Sequence, residues 1–410
     1  MIVIHLSSAS VDSGAGIAVL TLHQAMLDHG IDSRVYSADS RVGSDDRAIF
    51  TYPNMGIKII SMCHYWFARF LVRVLGYRGN SPFSLLRRGK TWPRRTELQH
   101  ADIIHLHWVG DSFLNLKDLE GLKGKVVWTF RDWWPLDGVW HIPQERDQLS
   151  TQYESRSLVP RRFLDKLIAR EKLKKASFLK STSKVKIAVQ SDFMRNDTEK
   201  ALDLLPGSVS VIASSINDAV YKYIDKKTAR DRLGLPLDAT VIAVGSTNVN
   251  DEYKGMGILS KIPEGSKVRK SIFLIFGGGE VSLPDDVCRR VYGFISSQSM
   301  MRDIYGASDI VLCPSLFESF GKVALESIAC GTPAIVFAGT GHAEIVERTG
   351  GGRVAVKNSA SSFYFEAEEQ LALVNEDFRS QISQLAHNEY SSDRVVHDYT
   401  KLYSDFLNDG

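Results

Sequence analysis

Short apolar runs separated by stretches of helical character occur in two successive series along the chain, and that alternation is the tightest constraint on its fold. A brief aliphatic run followed by a helix-length segment is the pattern of a βαβ unit, which demands a parallel sheet with helices on its faces. The first series comprises Ile2 to Leu6, Arg34 to Ser37, Ile103 to His107, Val126 to Phe130 and Lys186 to Val189. The second comprises Val241 to Val244, Ile272 to Phe276, Val291 to Ile295, Ile310 to Cys313, Ala334 to Phe337 and Arg353 to Val356. Between them, around Leu205 to Lys227, a Pro206-Gly207 turn, one further strand over Ser208 to Ile212 and a polar run read as a linker. The sequence therefore predicts two doubly wound, Rossmann-like α/β domains, over 1–205 and 206–380. A polar helical segment over 381–410 can pack back on either domain, the N-terminal one included. Such domains bind ligands beyond the carboxyl ends of their strands, so two of them facing each other are expected to hold one site in the cleft between them.

The 410 residues suffice for two cores. With 44 % hydrophobic and 24 % charged residues the chain is neither disordered nor fibrous, and a net charge of +2 does not suggest nucleic acid as a partner. The charge is unevenly spread. Ile57 to Thr96 carries nine basic residues and no acid, and Leu158 to Lys186 ten basic residues against Asp165 and Glu171. In the first stretch Trp66, Phe67, Phe70, Leu71, Val74 and Leu75 interleave with Arg69, Arg73 and Arg78. A basic amphipathic helix of this kind can lie in a lipid headgroup layer, each cation being worth about 1 kcal/mol near an anionic surface. An anionic membrane surface contacting residues 57–96 and 158–186 is the expected partner; a core-facing helix with a solvated basic loop is the plain alternative. Cys63, Cys288, Cys313 and Cys330 form no C-x-x-C pair and no zinc spacing, so they read as reduced and mostly buried. The segment Met1-Ile-Val-Ile-His-Leu-Ser reads as a strand and not a secretion leader, and Ile59 to Ala68 is about half a membrane span. The expected location is cytoplasmic, peripheral on the inner face of the plasma membrane.

Two carboxylates stand eight positions apart in Phe317-Glu318-Ser319-Phe320-Gly321-Lys322-Val323-Ala324-Leu325-Glu326. Glu318 falls in a strand-to-helix loop, and Glu326 lies inside the helix that begins near Gly321, roughly 7 to 8 Å along it at about 1.5 Å per residue. The N–H groups of Phe320, Gly321 and Lys322 favour an anion such as a diphosphate. Acid and anion site together suit a sugar nucleotide, with Glu318 accepting from sugar hydroxyls and Glu326 from a ribose diol. A loop acid near a helix start and a solvated helix acid are the alternative.

The stretch from Ser308-Asp309-Ile310-Val311-Leu312-Cys313-Pro314-Ser315 through Glu326 to Gly331-Thr332-Pro333-Ala334-Ile335-Val336 resembles the glutamate-x7-glutamate region of retaining GT-B glycosyltransferases of the GT4 family (glycosyl transferases group 1), bacterial surface-polysaccharide type. The resemblance implies the GT-B architecture and transfer, with retention, of a sugar from a nucleoside-diphosphate sugar to a saccharide acceptor. It further implies a role in capsule, O-antigen or exopolysaccharide synthesis, and the basic amphipathic stretch argues for a lipid-linked acceptor. A sugar-nucleotide epimerase or hydrolase on the same fold, or a non-catalytic glycan- or membrane-binding member, are the competing readings.

Other stretches extend the resemblance. Val244-Gly245 followed by Lys254-Gly255 is similar to the family's phosphate-binding lysine turn, although Ser246 stands where many relatives carry arginine. Gly14 and Gly16 of Ser13-Gly14-Ala15-Gly16 are placed with the donor, and Val19 in the third glycine position speaks against a dinucleotide enzyme. Gly278 of Gly277-Gly278-Gly279 and Phe294 of Val291-Tyr292-Gly293-Phe294-Ile295 match a glycine turn and a base-reading stretch near the donor. The loop Trp128 to His141 resembles one in which the family has a histidine where this chain has Arg131. A guanidinium is no base near neutral pH, so Arg131 is expected to bind phosphate or hold Asp132. Asp132 is expected to orient the acceptor hydroxyl with His141 behind it, and the four Trp residues of the loop can be packing anchors. His105 and His107 share one side of a strand; no third ligand is evident, so metal is not expected there, and His107 is placed with the acceptor. His342 and Glu344 follow Gly339-Thr340-Gly341 at a helix start, near the donor or as caps. With no Asp-x-Asp triplet, Lys254 and the amides at Gly321 are expected to supply the counter-charge without metal or cofactor.

Overall fold

The computed structural model describes residues 1–42, 47–51, 84–86, 95–111, 113–120, 122–143, 161–180 and 184–409, with isolated positions between 59 and 70. Most of the basic stretch 57–96, and residues 158–160 of the second, lie outside the described residues. Two compact units result: residues 1–190, 194–212 and 396–410 form unit 1, and residues 191–193 and 213–395 form unit 2.

Unit 1 holds a seven-stranded sheet in the order β3-β2-β1-β4-β5-β6-β7. Its strands are β1 (Ile2–Ser7), β2 (Asp32–Ser37), β3 (Ala48–Phe50), β4 (Ile103–Leu106), β5 (Lys125–Phe130), β6 (Val185–Val189) and β7 (Ser210–Val211). All pair in parallel, and the near-continuous burial of β1, β4 and β5 is what a sheet covered on both faces requires. The helix Gly14–Asp28 is capped by Ser13, whose Oγ accepts the Gly16 N–H at 3.1 Å. A Cβ at Gly16 would stand 2.0 Å from the Ser10 carbonyl oxygen, so backbone packing accounts for that glycine.

Unit 2 holds a six-stranded sheet in the order β10-β9-β8-β11-β12-β13. These are β8 (Val241–Asn248), β9 (Ile272–Gly278), β10 (Arg289–Gly293), β11 (Ile310–Cys313), β12 (Ala334–Phe337) and β13 (Gly352–Ala355). Alternate residues feed two cores: Val241, Ala243, Leu274 and Phe276 pack in one, Ile242, Val244, Phe273 and Ile275 in the other. That is the period-two consequence of a sheet sandwiched between helices.

The chain leaves unit 1 after Ile212, beyond the boundary expected at 205/206, because β7 hydrogen-bonds to β6 and extends the first sheet past Gly207. The C-terminal segment divides. The helix Glu376–Tyr390 stays with unit 2, where the buried Arg379 donates to the carbonyls of Ser308 (2.9 Å) and Gly306 (2.8 Å). From Val396 onward the final helix belongs to unit 1: Tyr403 Oη lies 2.6 Å from His105 Nδ1 and Tyr399 Oη 2.9 Å from Thr129 Oγ1. All four cysteines are free thiols, but only Cys313 and Cys330 are buried; Cys63 and Cys288 are exposed, the latter just before the edge strand β10. Among the described residues no helix is long and apolar enough to cross a membrane.

Candidate functional site

In unit 2 the sequence builds a charged cluster from two loops at the carboxyl ends of neighbouring strands. Past β8 the chain makes the short helical turn Glu252–Lys254, ended by Gly255 at φ +66°. A Cβ at 255 would stand 2.0 Å from the Pro314 carbonyl oxygen, and the Leu316 N–H donates to the Tyr253 carbonyl at 2.8 Å. These contacts fasten the lysine turn to the loop after β11 and bring Lys254 Nζ to 2.7 Å from Glu318 Oε2. The two side chains are 19 % and 21 % exposed, so the pair is largely withdrawn from solvent. Burial disfavours both charges, yet each partner outweighs it: Glu318 lies below the usual carboxylate range and Lys254 above the usual lysine value.

His342 Nε2 lies 4.0 Å from the same Glu318 oxygen, and burial holds its imidazole down at about 4, so the ring is neutral at pH 7. Gly321 has φ +114°, and a Cβ there would stand 1.8 Å from His342 Cδ2; glycine is what lets the histidine reach the loop. The helix Lys322–Ala329 starts at that point, presenting first-turn N–H groups that have no intrahelical acceptor. Glu326 Oε1 lies 3.8 Å from Lys322 Nζ, and Tyr305 Oη donates to Oε2 at 3.3 Å. Burial raises the Glu326 carboxyl above its ordinary value, so this is a largely enclosed acid and not a solvated helix residue. Glu344 instead accepts the N–H groups of Asp192 (2.8 Å) and Phe193 (2.5 Å).

The glycine run at the end of β9 has a packing explanation. A Cβ at Gly277 would stand 1.7 Å from the Ser246 carbonyl oxygen, and the Gly278 carbonyl accepts the Val249 N–H at 2.8 Å. Phe294 follows β10 and is exposed.

In unit 1, β5 delivers the loop 131–141. Asp132 accepts the Trp134 N–H at 2.9 Å through Oδ1 and meets Trp108 Nε1 (3.2 Å) and His141 Nδ1 (2.6 Å) through Oδ2. The other His141 nitrogen lies 2.9 Å from Ser84 Oγ, which donates to Asp111 at 2.7 Å. Lys175 Nζ donates to the carbonyls of Trp134 and Gly138, tying the loop to the helix Arg161–Leu179. Trp128, Trp133, Trp134 and Trp140 are buried, as packing anchors would be.

Arg131 Nη2 lies 3.3 Å from His107 Nδ1, and its charge faces Tyr399. His107, placed with the acceptor from sequence, is 2 % exposed with both ring nitrogens engaged. Since a guanidinium can only donate, His107 Nδ1 accepts, and its Nε2–H donates to His5 Nδ1 at 2.9 Å. His5 is the third potential ligand that sequence reasoning did not find: the β1–β4 register sets it beside His105, and ring nitrogens of His5, His105 and His107 lie within 4.8 Å of one another, a grouping that could hold a metal ion. The nitrogens of His105 meet Thr129 Oγ1 (2.7 Å) and Tyr403 Oη (2.6 Å). Burial holds all three rings far below the ordinary histidine range, and the Arg131 charge pushes the same way, so the cluster is a neutral hydrogen-bonded network.

Comparison with known proteins follows the same lines. Residues 284–387 match the sequence family described as Glycosyl transferases group 1. A D-inositol 3-phosphate glycosyltransferase of Corynebacterium aurimucosum is 27 % identical over 290 residues, 66 % of this chain and 63 % of that protein's length. The chain thus spans under two thirds of that curated relative. Among solved structures, WaaG, a glycosyltransferase involved in lipopolysaccharide biosynthesis, superposes with a TM-score of 0.59 at 14 % identity over 99 % of both chains. Anabaena HepE in complex with UDP-glucose does so with a TM-score of 0.59 at 14 % identity, over 99 % of this chain and 100 % of its own. The fold is that of the GT-B glycosyltransferases, α/β with two Rossmann-like parallel-sheet domains, and a glycosyl transferases group 1 segment lies in the second.

Proposed function

We propose that the chain is a retaining glycosyltransferase that moves a sugar from a nucleoside-diphosphate sugar to a lipid-linked saccharide during assembly of a bacterial surface polysaccharide. The observation that carries the reading is the Lys254–Glu318 pair at 2.7 Å, set beside the start of the helix Lys322–Ala329. A departing nucleoside diphosphate needs its growing charge met by fixed cations and dipoles, and a largely desolvated ammonium beside a helix start supplies both. In this reading Lys254 and the backbone at Phe320, Gly321 and Lys322 take the diphosphate, Glu318 turns to sugar hydroxyls and Glu326 to a ribose diol. Gly278 and Phe294 bound the nucleoside. Asp132 orients the acceptor hydroxyl, Arg131 contributes charge, and His141 is a positioning residue that acts through Asp132.

The UDP-glucose complex of Anabaena HepE supports this donor class, and the role of WaaG in lipopolysaccharide biosynthesis supports the polysaccharide setting. The name of the Corynebacterium relative favours a second reading of the acceptor, a phosphorylated cyclitol. Ile59, Met62, Trp66, Phe67 and Phe70 are each half or more exposed at helical spacing within the acid-free stretch, which supports an anionic membrane surface as the place of work. A thermal-shift panel of sugar nucleotides, followed by product analysis with the responding donor, tests the reading. Free nucleoside diphosphate with a lengthened acceptor is expected; free or epimerised sugar overturns it. Saccharide and inositol phosphate acceptors in parallel separate the two acceptor readings.

A further inference from the structure

A groove of about 1140 Å³ opens on unit 1 at the opposite ends of the strands from Asp132. Gly124 and Val126 at the entry to β5, and Lys184 and Val185 at the entry to β6, form one side, whereas Asp132 follows the exit of β5. The helix Arg161–Leu179 forms the other side. Residues four apart on a helix lie in one row, and two adjacent rows face the groove: Lys166, Arg170, Lys174 and Phe178 in one, Ala169, Leu173 and Ser177 in the next.

The floor is aliphatic, with Leu86, Leu116, Leu119 and Val126, while Leu173 on the wall is 70 % exposed. Among the described residues, five cations line the groove, Lys117, Lys166, Arg170, Lys174 and Lys184, against one acid, Glu120. Lys174 is partly answered by Glu171 at 2.6 Å; the excess remains strongly positive. Pockets for small ligands run to about 1,000 Å³ and are mostly apolar with a few fixed polar groups, so this groove has the size and lining for a larger amphiphile. A charged surplus of this sign beside an apolar trough complements an anionic head carried on a hydrocarbon chain.

We propose that this groove binds a lipid monophosphate, its chain along Leu116, Leu119, Val126 and Leu173 and its phosphate against Lys166 and Arg170. The site is distinct from the residues assigned to sugar transfer and does not depend on that assignment. Calorimetry of the full chain with decyl phosphate below its micelle concentration, with decanol and inorganic phosphate as comparators, tests it. Saturable one-to-one binding of decyl phosphate is expected, at least tenfold weaker in Leu173→Asp and in Arg170→Glu, both at exposed positions and both retaining the parent melting temperature. Inorganic phosphate alone should not bind. No saturable decyl phosphate binding, unchanged affinity in both variants, or equal affinity for decanol overturns the proposal. So does a concentration-dependent dimer by light scattering that Leu173→Asp abolishes and decyl phosphate leaves intact, which would give the groove to a second copy. The sugar-nucleotide thermal shift should persist in both variants, so failure here is distinguishable from failure of the transferase reading.

Discussion

Lys254 Nζ and Glu318 Oε2 lie 2.7 Å apart although the residues are separated by 64 positions in the chain. Neither side chain is placed by its own element alone. The lysine turn reaches the glutamate loop because Gly255 has no Cβ to strike Pro314 and because Leu316 hydrogen-bonds to Tyr253. The ammonium is therefore largely withdrawn from solvent and held in a fixed orientation, the condition that the proposed transferase reading requires of a charge that stabilises a transition state.

Removing that ammonium should separate stability from turnover. Lys254→Ala is expected to lower turnover at least about a hundredfold. It leaves Glu318 charged without its partner, costing about 1 to 3 kcal/mol, less than a fully buried pair because the groups are about a fifth exposed. Lys254→Ala combined with Glu318→Gln should regain most of the lost stability in urea melts while product formation stays low.

Glu326 should show a trade-off between stability and binding. Its folded carboxyl titrates above the ordinary value because of burial, so the folded state holds the proton more tightly than the unfolded chain. Stability is then lost as pH rises from the usual carboxylate value through the raised one. Glu326→Gln is expected to melt higher than the parent at pH 7, to match it near pH 4, and to bind the donor more weakly by calorimetry.

The Lys175 amine, lowered by burial to about 7, makes the opposite prediction at alkaline pH. Between pH 7 and the ordinary lysine value the unfolded chain holds a proton that the folded one does not, so stability rises with pH across that window. Urea midpoints at pH 7 and 9.5 should show this gain in the parent, and Lys175→Met should flatten it.

Gly255→Ala tests the backbone origin of the site. With φ at +66° and the Pro314 oxygen 2.0 Å from the added Cβ, the substitution should cost at least about 2 kcal/mol. The surviving folded fraction should also lose its thermal response to sugar nucleotides.

On the acceptor side, Asp132→Asn is expected to lower turnover by about 10² to 10⁴ while leaving donor affinity unchanged. On the proposed reading His141→Gln should lower turnover less, since its imidazole would act through Asp132, 2.6 Å away. An equal loss of donor binding in calorimetry would remove both from that role.

Much of this was legible locally. The runs Ile310–Cys313 and Ala334–Phe337 are buried on both faces and appear as the strands their composition suggests, and the helix after Gly321 begins where expected. The three-residue strand β3 was not legible, since so short a run has no periodicity of its own. The boundary after Ile212 was displaced for a different reason: the strand expected within Ser208 to Ile212 was read as part of the linker, and only its pairing with β6 assigns it to the first sheet.

The order of strands and helices, the capacity for two parallel sheets and the glutamate pair astride a helix start follow from residue type and spacing, because propensity and hydrophobic period act over a few neighbours. Which charges meet was decided only in three dimensions. Arg131 Nη2 came within 3.3 Å of His107 Nδ1, and His5 joined His105 through strand register. Likewise Lys254 found Glu318 rather than solvent, since burial makes an unpartnered charge costly and contacts between distant segments determine which partner is within reach.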